Sequence, residues 1–319
     1  MIPVGLLNAG GVFAPSAFNN TTLSTSANWL GIANSGSTFV ASAGQVPNSA
    51  LSRSTNGGAT WTSVTASNTK QLASITYGNS RFVASFYGNT SGGASSVISL
   101  STNDGVSFSD QTASATGNVM SVIYDGTRFL GYNYVSSTDR RITSSTDGVT
   151  WTQSGIIGQN VGSQARLTQL GTTFIVLPMF NSTSVGSICT SDPTVNTNWS
   201  SMTAPIQTLN FCVSGNSLFI AGAGDSATYY TSANGSTWTS RTLPATSTGY
   251  IGFANEYFWF KAVTTNVVYY SLDGINWTST GLNTAQPGKS LAWNGNGVTL
   301  IQVGQTSGGS ATNLGSYSS

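Results

Sequence analysis

Nine carboxylates and ten Lys or Arg side chains are the charged groups this chain can bring to chemistry, and it has no histidine. The commonest general base and metal ligand near neutral pH is therefore missing. What remains is carboxylate chemistry. Two carboxyl groups flanking a glycosidic bond can hydrolyse it, one as acid and the other as base or nucleophile. Five acids lie outside the turn motifs described below: Asp110, Asp125, Asp139, Asp225 and Glu256. Strand direction places Asp139 and Asp225 at one end of the fold, two repeats apart, and Asp125 and Glu256 at the other. No catalytic residue is assigned on this pattern. The densest charge is Asp139-Arg140-Arg141. Tyr87, Asn89, Tyr132, Tyr134 and Phe180 are expected at or near the same end. Together these eight residues form a candidate surface for a glycan or protein partner, because aromatic faces stack on sugars while amides and guanidinium groups supply hydrogen bonds. No metal-ligand spacing is present, and neither metal nor cofactor is expected.

The elements that must position these groups are announced by a repeated corner. It reads Ser145-Thr146-Asp147-Gly148-Val149-Thr150-Trp151 in its clearest copy. Related copies carry Asn56, Gly58 and Trp61; Asn103, Gly105 and Phe108; Asn234, Gly235 and Trp238; and Asp273, Gly274 and Trp277. A stretched copy runs from Asp192-Pro193 to Trp199, and a degenerate one from Asn8 to Phe13. An Asp or Asn side chain turns the chain by accepting backbone N–H bonds just ahead of it. Gly supplies the positive φ of the tight turn. The returning strand opens with a hydroxyl residue and a large ring.

The rings at positions 13, 61, 108, 151, 199, 238 and 277 are separated by 39–48 residues. That spacing fits a four-stranded propeller blade. Between rings a second hairpin recurs, as in Ile75-Thr76-Tyr77-Gly78-Asn79-Ser80-Arg81-Phe82-Val83 and Ile123-Tyr124-Asp125-Gly126-Thr127-Arg128-Phe129-Leu130. No segment shows a capped helical period. The expectation is an all-β, seven-bladed propeller filling one domain, residues 1–319. Its last blade would be split between about 1–17 and 283–319, with residues 305–319 partly a tail. Closing the ring with both termini would remove free sheet edges. Cys189 and Cys212 fall in different repeats and are expected as free thiols.

Composition excludes several classes. Asp, Glu, Lys and Arg make up 6% of the chain, with a net charge of +1; about 25% is ordinary. There is no basic patch for nucleic acid and no polybasic run for anionic lipid. No apolar run is long enough to insert in a membrane. The N-terminus lacks a charged region followed by an apolar one, so no secretory signal is expected.

The corner copies resemble the Asp-box, or bacterial neuraminidase repeat, Ser-x-Asp-x-Gly-x-Thr-Trp. The copies at Ser54–Trp61 and Ser101–Phe108 keep its spacing with Asn for Asp, and the others are shorter by one residue. The resemblance implies a propeller. It does not imply one chemistry, because sialidases, xyloglucan hydrolases, sorting receptors and assembly factors share the box. Sialidase activity would require an arginine cluster and a Tyr/Glu pair; here the single Glu, Glu256, lies in a turn. The uncharged Ser/Thr/Asn/Gly-rich composition resembles that of bacteriophage tail, fibre and capsid-decoration proteins. This implies a non-enzymatic virion component, released by lysis, that contacts other virion proteins and host-surface polysaccharide. The alternatives are a polysaccharide-degrading glycoside hydrolase and a bacterial surface or assembly-scaffold propeller.

Overall fold

A computed structural model describes residues 17–27, 29–45, 48–65, 71–87, 97–113, 116–157, 161–179, 185–224, 226–254, 256–283, 290–293, 300–303 and 312–318. Among the described residues strands dominate, with one short 3-10 turn at Asn196–Asn198. Six blades are built from four consecutive antiparallel strands each. Blade I comprises Trp29–Asn34, Phe39–Gln45, Asn48–Ser54 and Thr62–Val64. Blade II comprises Gln71–Gly78, Arg81–Tyr87, Val97–Ser101 and Ser109–Thr112. Blade III comprises Asn118–Tyr124, Phe129–Tyr134, Arg140–Ser145 and Thr152–Gln153. Blade IV comprises Ala165–Leu170, Thr173–Pro178, Val185–Cys189 and Trp199–Thr203. Blade V comprises Phe211–Gly215, Leu218–Gly222, Thr228–Ser232 and Thr239–Thr242. Blade VI comprises Ser247–Ala254, Tyr257–Ala262, Val267–Ser271 and Thr278–Asn283.

The expectation of a seven-bladed propeller is corrected: six blades share this build. Between blades VI and I lies a composite closing sheet, ordered Ser290–Trp293, Leu300–Val303, Thr312–Ser318 and then Phe18–Ala27 from the other end of the chain. The N-terminal contribution is thus Phe18–Ala27, paired Phe18 to Ser318 and Thr22 to Leu314. Thr312–Ser318 is a ladder strand rather than a tail, since it also pairs with Ile301–Val303. The physical reason for the difference is that no turn box joins its last two strands; a hydrogen-bonded pair of chain ends does. Asn8, Phe13 and the rest of the degenerate copy lie outside the described residues.

First strands of neighbouring blades contact one another around the ring, and Ser290–Trp293 touches the first strands of both VI and I. The core lies between blades. The second strand of each of these six blades carries, at its first or second position, a buried Phe followed by a buried apolar residue: Phe39-Val40, Phe82-Val83, Phe129-Leu130, Phe174-Ile175, Phe219-Ile220 and Phe258-Trp259. Burying such a side chain is worth ~1.5–3 kcal/mol, and one blade alone cannot cover both its faces.

The boxes form as their chemistry dictates. In blade III, Ser145 Oγ donates to Asp147 (2.9 Å) and accepts the Gly148 N–H (2.8 Å). Asp147 accepts the N–H groups of Val149 and Thr150, both at 2.8 Å. Trp151 Nε1 donates back to Gly148 O at 2.9 Å. Blades I and V repeat the Ser and Asn contacts. In blade VI the ring bonds differently: Trp277 Nε1 donates to the Tyr229 hydroxyl, which donates to Gly274 O. The box glycines of blades II, III, V and VI serve twice. At Gly274, φ is +67°, and a Cβ there would sit 2.7 Å from Ile220 Cδ1. The box of one blade therefore clamps the second strand of the blade before it.

Candidate functional site

The two ends of the ring differ. One, the box face, carries the turn boxes and the first-hairpin turns; the other carries the Asp139 loop. On the box face, first-hairpin turns grip the box of the next blade. Asn79 Nδ2 donates to Thr146 O at 2.9 Å, and Asn216 Nδ2 donates to Leu272 O at 2.7 Å. Arg128 bridges Asp125 (3.2 Å) and the box Asp192 of blade IV (2.7 Å). Blade I reaches blade II through Asp104, which accepts from Ser35 (2.5 Å), Thr38 and Arg53 Nη2 (3.3 Å). Partial burial alone would raise the Asp104 carboxyl. The hydroxyl bonds and the Arg53 charge outweigh it and hold the group below the usual carboxylate range.

These contacts account for most acids among the described residues. Burial opposes ionisation of Asp125 too, but bonds from Thr127 and Arg128 lower its pKa. Asp147 is held at about 2 by the N–H groups of Thr150 and Val149. Asp273 is also at about 2: burial would raise it, and the Asn276 and Ile275 N–H groups overcome that. Asp192 is lowered by the Thr194 N–H. Asp110 accepts the Ser99 hydroxyl at 2.7 Å. Asp225 lies outside the described residues.

The candidate surface from the sequence divides. Arg141 clasps Asp139 in a bidentate pair, Nε to Oδ1 at 2.7 Å and Nη2 to Oδ2 at 2.9 Å. The Arg141 hydrogen bonds lower the Asp139 pKa, and Asp139 raises that of Arg141. Bonds from Val135 N–H and Ser136 N–H to Asp139 O, both 3.0 Å, close the loop beneath this pair. Arg140 is buried and donates to Ser137 O. Tyr132 is fully buried, its hydroxyl on Gly162 O at 3.0 Å, and burial raises its phenol pKa. Tyr134 is half-buried against the core between blades III and IV. The Asp139–Arg141 pair stays partly exposed, whereas Tyr132 and Arg140 are turned inward and Tyr134 pairs in register with Arg140. The Tyr87 backbone pairs with Gln71. Asn89, Phe180 and the side chain of Tyr87 lie outside the described residues.

Among the described residues, cavities open elsewhere. An axial one of about 330 Å³ is walled by first-strand residues of blades III to VI: Tyr124, Thr168, Gln169, Cys212, Ser214 and Phe253 among them. A groove of about 310 Å³ lies between blades V and VI, lined by Leu218, Thr231, Asn234, Thr239, Arg241 and Ile275. Sequence reading passed over the axial residues. Their signal was present: Tyr77, Tyr124 and Phe253 occupy the same place, just before the first-hairpin turn. Cys212 and Cys189 are free. Burial pushes the Cys212 thiol up to about 12, against a bond with Thr168. Lys261, buried in the second strand of blade VI, is brought down to about 8 by loss of hydration. Among the described residues no group of three or more His, Cys, Asp or Glu could hold a metal ion.

No family model matches the sequence, and no curated protein matches it. Solved structures do resemble the fold. Virginiamycin B lyase from Staphylococcus aureus aligns with a TM-score of 0.67 at 11% identity, over 95% of this chain and 99% of the lyase. YCF48 bound to a D1 peptide aligns with a TM-score of 0.65 at 12% identity, over 96% of this chain and 99% of that one. YCF48 from Cyanidioschyzon merolae aligns with a TM-score of 0.65 at 10% identity, over 95% of this chain and 98% of that one. At such identities the likeness shows the fold alone: this chain is a β-propeller.

Proposed function

We propose that this propeller is a non-enzymatic binding module, carried on a bacteriophage particle as a tail, fibre or capsid-decoration protein. The observation that carries the first half is the use made of the acids. Asp104, Asp125, Asp139, Asp147, Asp192 and Asp273 each hold a turn or an ion pair together. A carboxylate fixed this way stays ionised and hydrogen-bonded, unlike the raised acid that glycosidic cleavage requires. YCF48, similar in fold, was captured with a D1 peptide. That supports a binding role for a ring of this kind. The similar lyase has a catalytically inactive His-to-Ala variant. This chain contains no histidine, so that residue has no counterpart here.

The second half rests on composition. A surface built from Ser, Thr, Asn and Gly at 6% charge recognises partners by shape and hydrogen bonds. Such contacts depend little on salt. The partners in this reading are other virion proteins and a host-surface polysaccharide, with the Asp139–Arg141 corner as one contact point. Mass spectrometry of gradient-purified particles tests it. The expected result is this chain at a fixed ratio to the major capsid protein. Its absence from particles, with the chain recovered in a cellular fraction, would overturn the virion assignment.

A further inference from the structure

We propose that the axial cavity is a binding site for a small uncharged ligand with a flat apolar body, such as an aromatic ring. The volume, about 330 Å³, lies at the low end of small-molecule sites.

Two rings on its wall are held in place from behind. A Cβ at Gly78 would lie 2.1 Å from Tyr124 Cγ, so the Tyr124 ring rests directly on the glycine of blade II. The Phe253 ring rests on Gly215 of blade V in the same way, 2.3 Å from where a Cβ would be. Phe129 and Phe258 brace these rings from the core, with centroids 5.0 and 4.8 Å away. Rings fixed before binding lose little freedom on binding, which favours affinity.

The chemistry of the wall selects the ligand. Among the described residues, no lining side chain is charged. The polar groups are largely engaged with the protein. The Ser214 hydroxyl donates to Gln169 O, and Gln169 Nε2 donates to Gly171 O at 2.9 Å. The Cys212 thiol is paired with Thr168 and stays protonated through neutral pH. A charged ligand would find no opposite charge among the described lining residues. An apolar ring needs none and covers Tyr124 and Phe253. This site is independent of the particle reading and would hold in any location.

Fluorescence titration with Prodan, a neutral naphthalene ketone, tests it on the full chain. The expected result is saturable, single-site binding with blue-shifted emission, displaced by indole. Tyr124→Ala and Phe253→Ala should each weaken it at least tenfold. Ser214→Phe, which fills the cavity while keeping both rings, should abolish it. Thermal melts of all three variants report whether each is folded. Non-saturable binding, or binding that survives all three changes in folded variants, would overturn the proposal. The latter would place the probe on exposed box-tip residues such as Val106 and Leu272.

Discussion

The junction between blades V and VI and the junction between blade VI and the closing sheet solve one problem in two ways. At the first, the box glycine of blade VI descends on Ile220, with Gly274 so close that a Cβ would meet Ile220 and Leu218 at 2.7 and 3.0 Å. At the second no box is found among the described residues. The corresponding residue on the second strand is Trp259 instead of Ile, Val or Leu. It packs with Ala254, Val268 and Tyr270, and with Phe18 at the start of the closing strand. Its Nε1 donates to Ala254 O at 2.9 Å. Where a tight corner can approach, a small β-branched residue suffices. Where two chain ends meet, one large ring packs against the start of the closing strand. The turn box is thus a packing device as well as a turn.

The largest effects should appear at the ring. Trp259→Ala removes the filler and should destabilise the protein by about 3–5 kcal/mol, whereas Ile220→Val at the boxed junction should cost only about 0.5–1.5. Urea unfolding of both variants measures the contrast, and equal losses would break the comparison. Gly274→Ala should cost about 2–4 kcal/mol, combining left-handed strain with overpacking. Gly281→Ala is its control. Gly281 has φ +70° but nothing within 4 Å of its Cβ position, so only the conformational part, about 1 kcal/mol, should remain.

Lys261 sharpens the same comparison. It sits on the second strand of blade VI, two residues beyond Trp259, and burial lowers its pKa from 10.5 to about 8. A depressed lysine pKa means the unfolded chain binds more protons between about 8 and 10.5. Stability should therefore rise with pH across that window. Lys261→Met should flatten the rise relative to the unsubstituted protein and stabilise it near pH 7 by about 1–3 kcal/mol. Chemical denaturation at pH 7, 8.5 and 10 checks this. An unchanged slope would mean that the ammonium is solvated through the closing sheet.

The boxed junctions were legible in the sequence because their chemistry is local. Ser145, Asp147, Gly148 and Trp151 specify one corner within seven residues, and the same corner recurs down the chain. The closing sheet was not legible to the same depth. Phe18–Ala27 reads Phe-Asn-Asn-Thr-Thr-Leu-Ser-Thr-Ser-Ala, with few apolar residues and no turn signal. Its partner is about 300 residues away, so no local propensity could mark the pair, and Asn8–Phe13 offered a more familiar pattern. Two parts of the candidate sites were missed for a related reason. Asp104 stands where the first box has Gly57, and only the neighbouring blade supplies Ser35, Thr38 and Arg53. Tyr132 and Tyr134 alternate along one strand, yet the sequence could not show that the blade IV contact buries Tyr132 completely.

The smallest expected effect separates the boxes among themselves. Blades III and VI use Asp, whereas I, II and V use Asn in the same place with the same acceptor role. The amide bonds of the Asn boxes do not titrate. The Asp boxes hold their carboxyl pKa at about 2, below the unfolded value near 3.8. Their extra stability is therefore present above about pH 4 and is lost as pH falls toward 2. Asp147→Asn combined with Asp273→Asn should leave the corners folded. At pH 7 it should cost less than about 1 kcal/mol per box, because both carboxylates are near the surface. The acid-unfolding midpoint should move to lower pH, since two groups that must otherwise be protonated no longer matter. Circular dichroism between pH 1.5 and 5 reads this directly. A midpoint unmoved by the double change would mean that acid unfolding starts at the Asp104 and Asp125 ion pairs, making the clamps between blades, rather than the corners within them, the first contacts to fail.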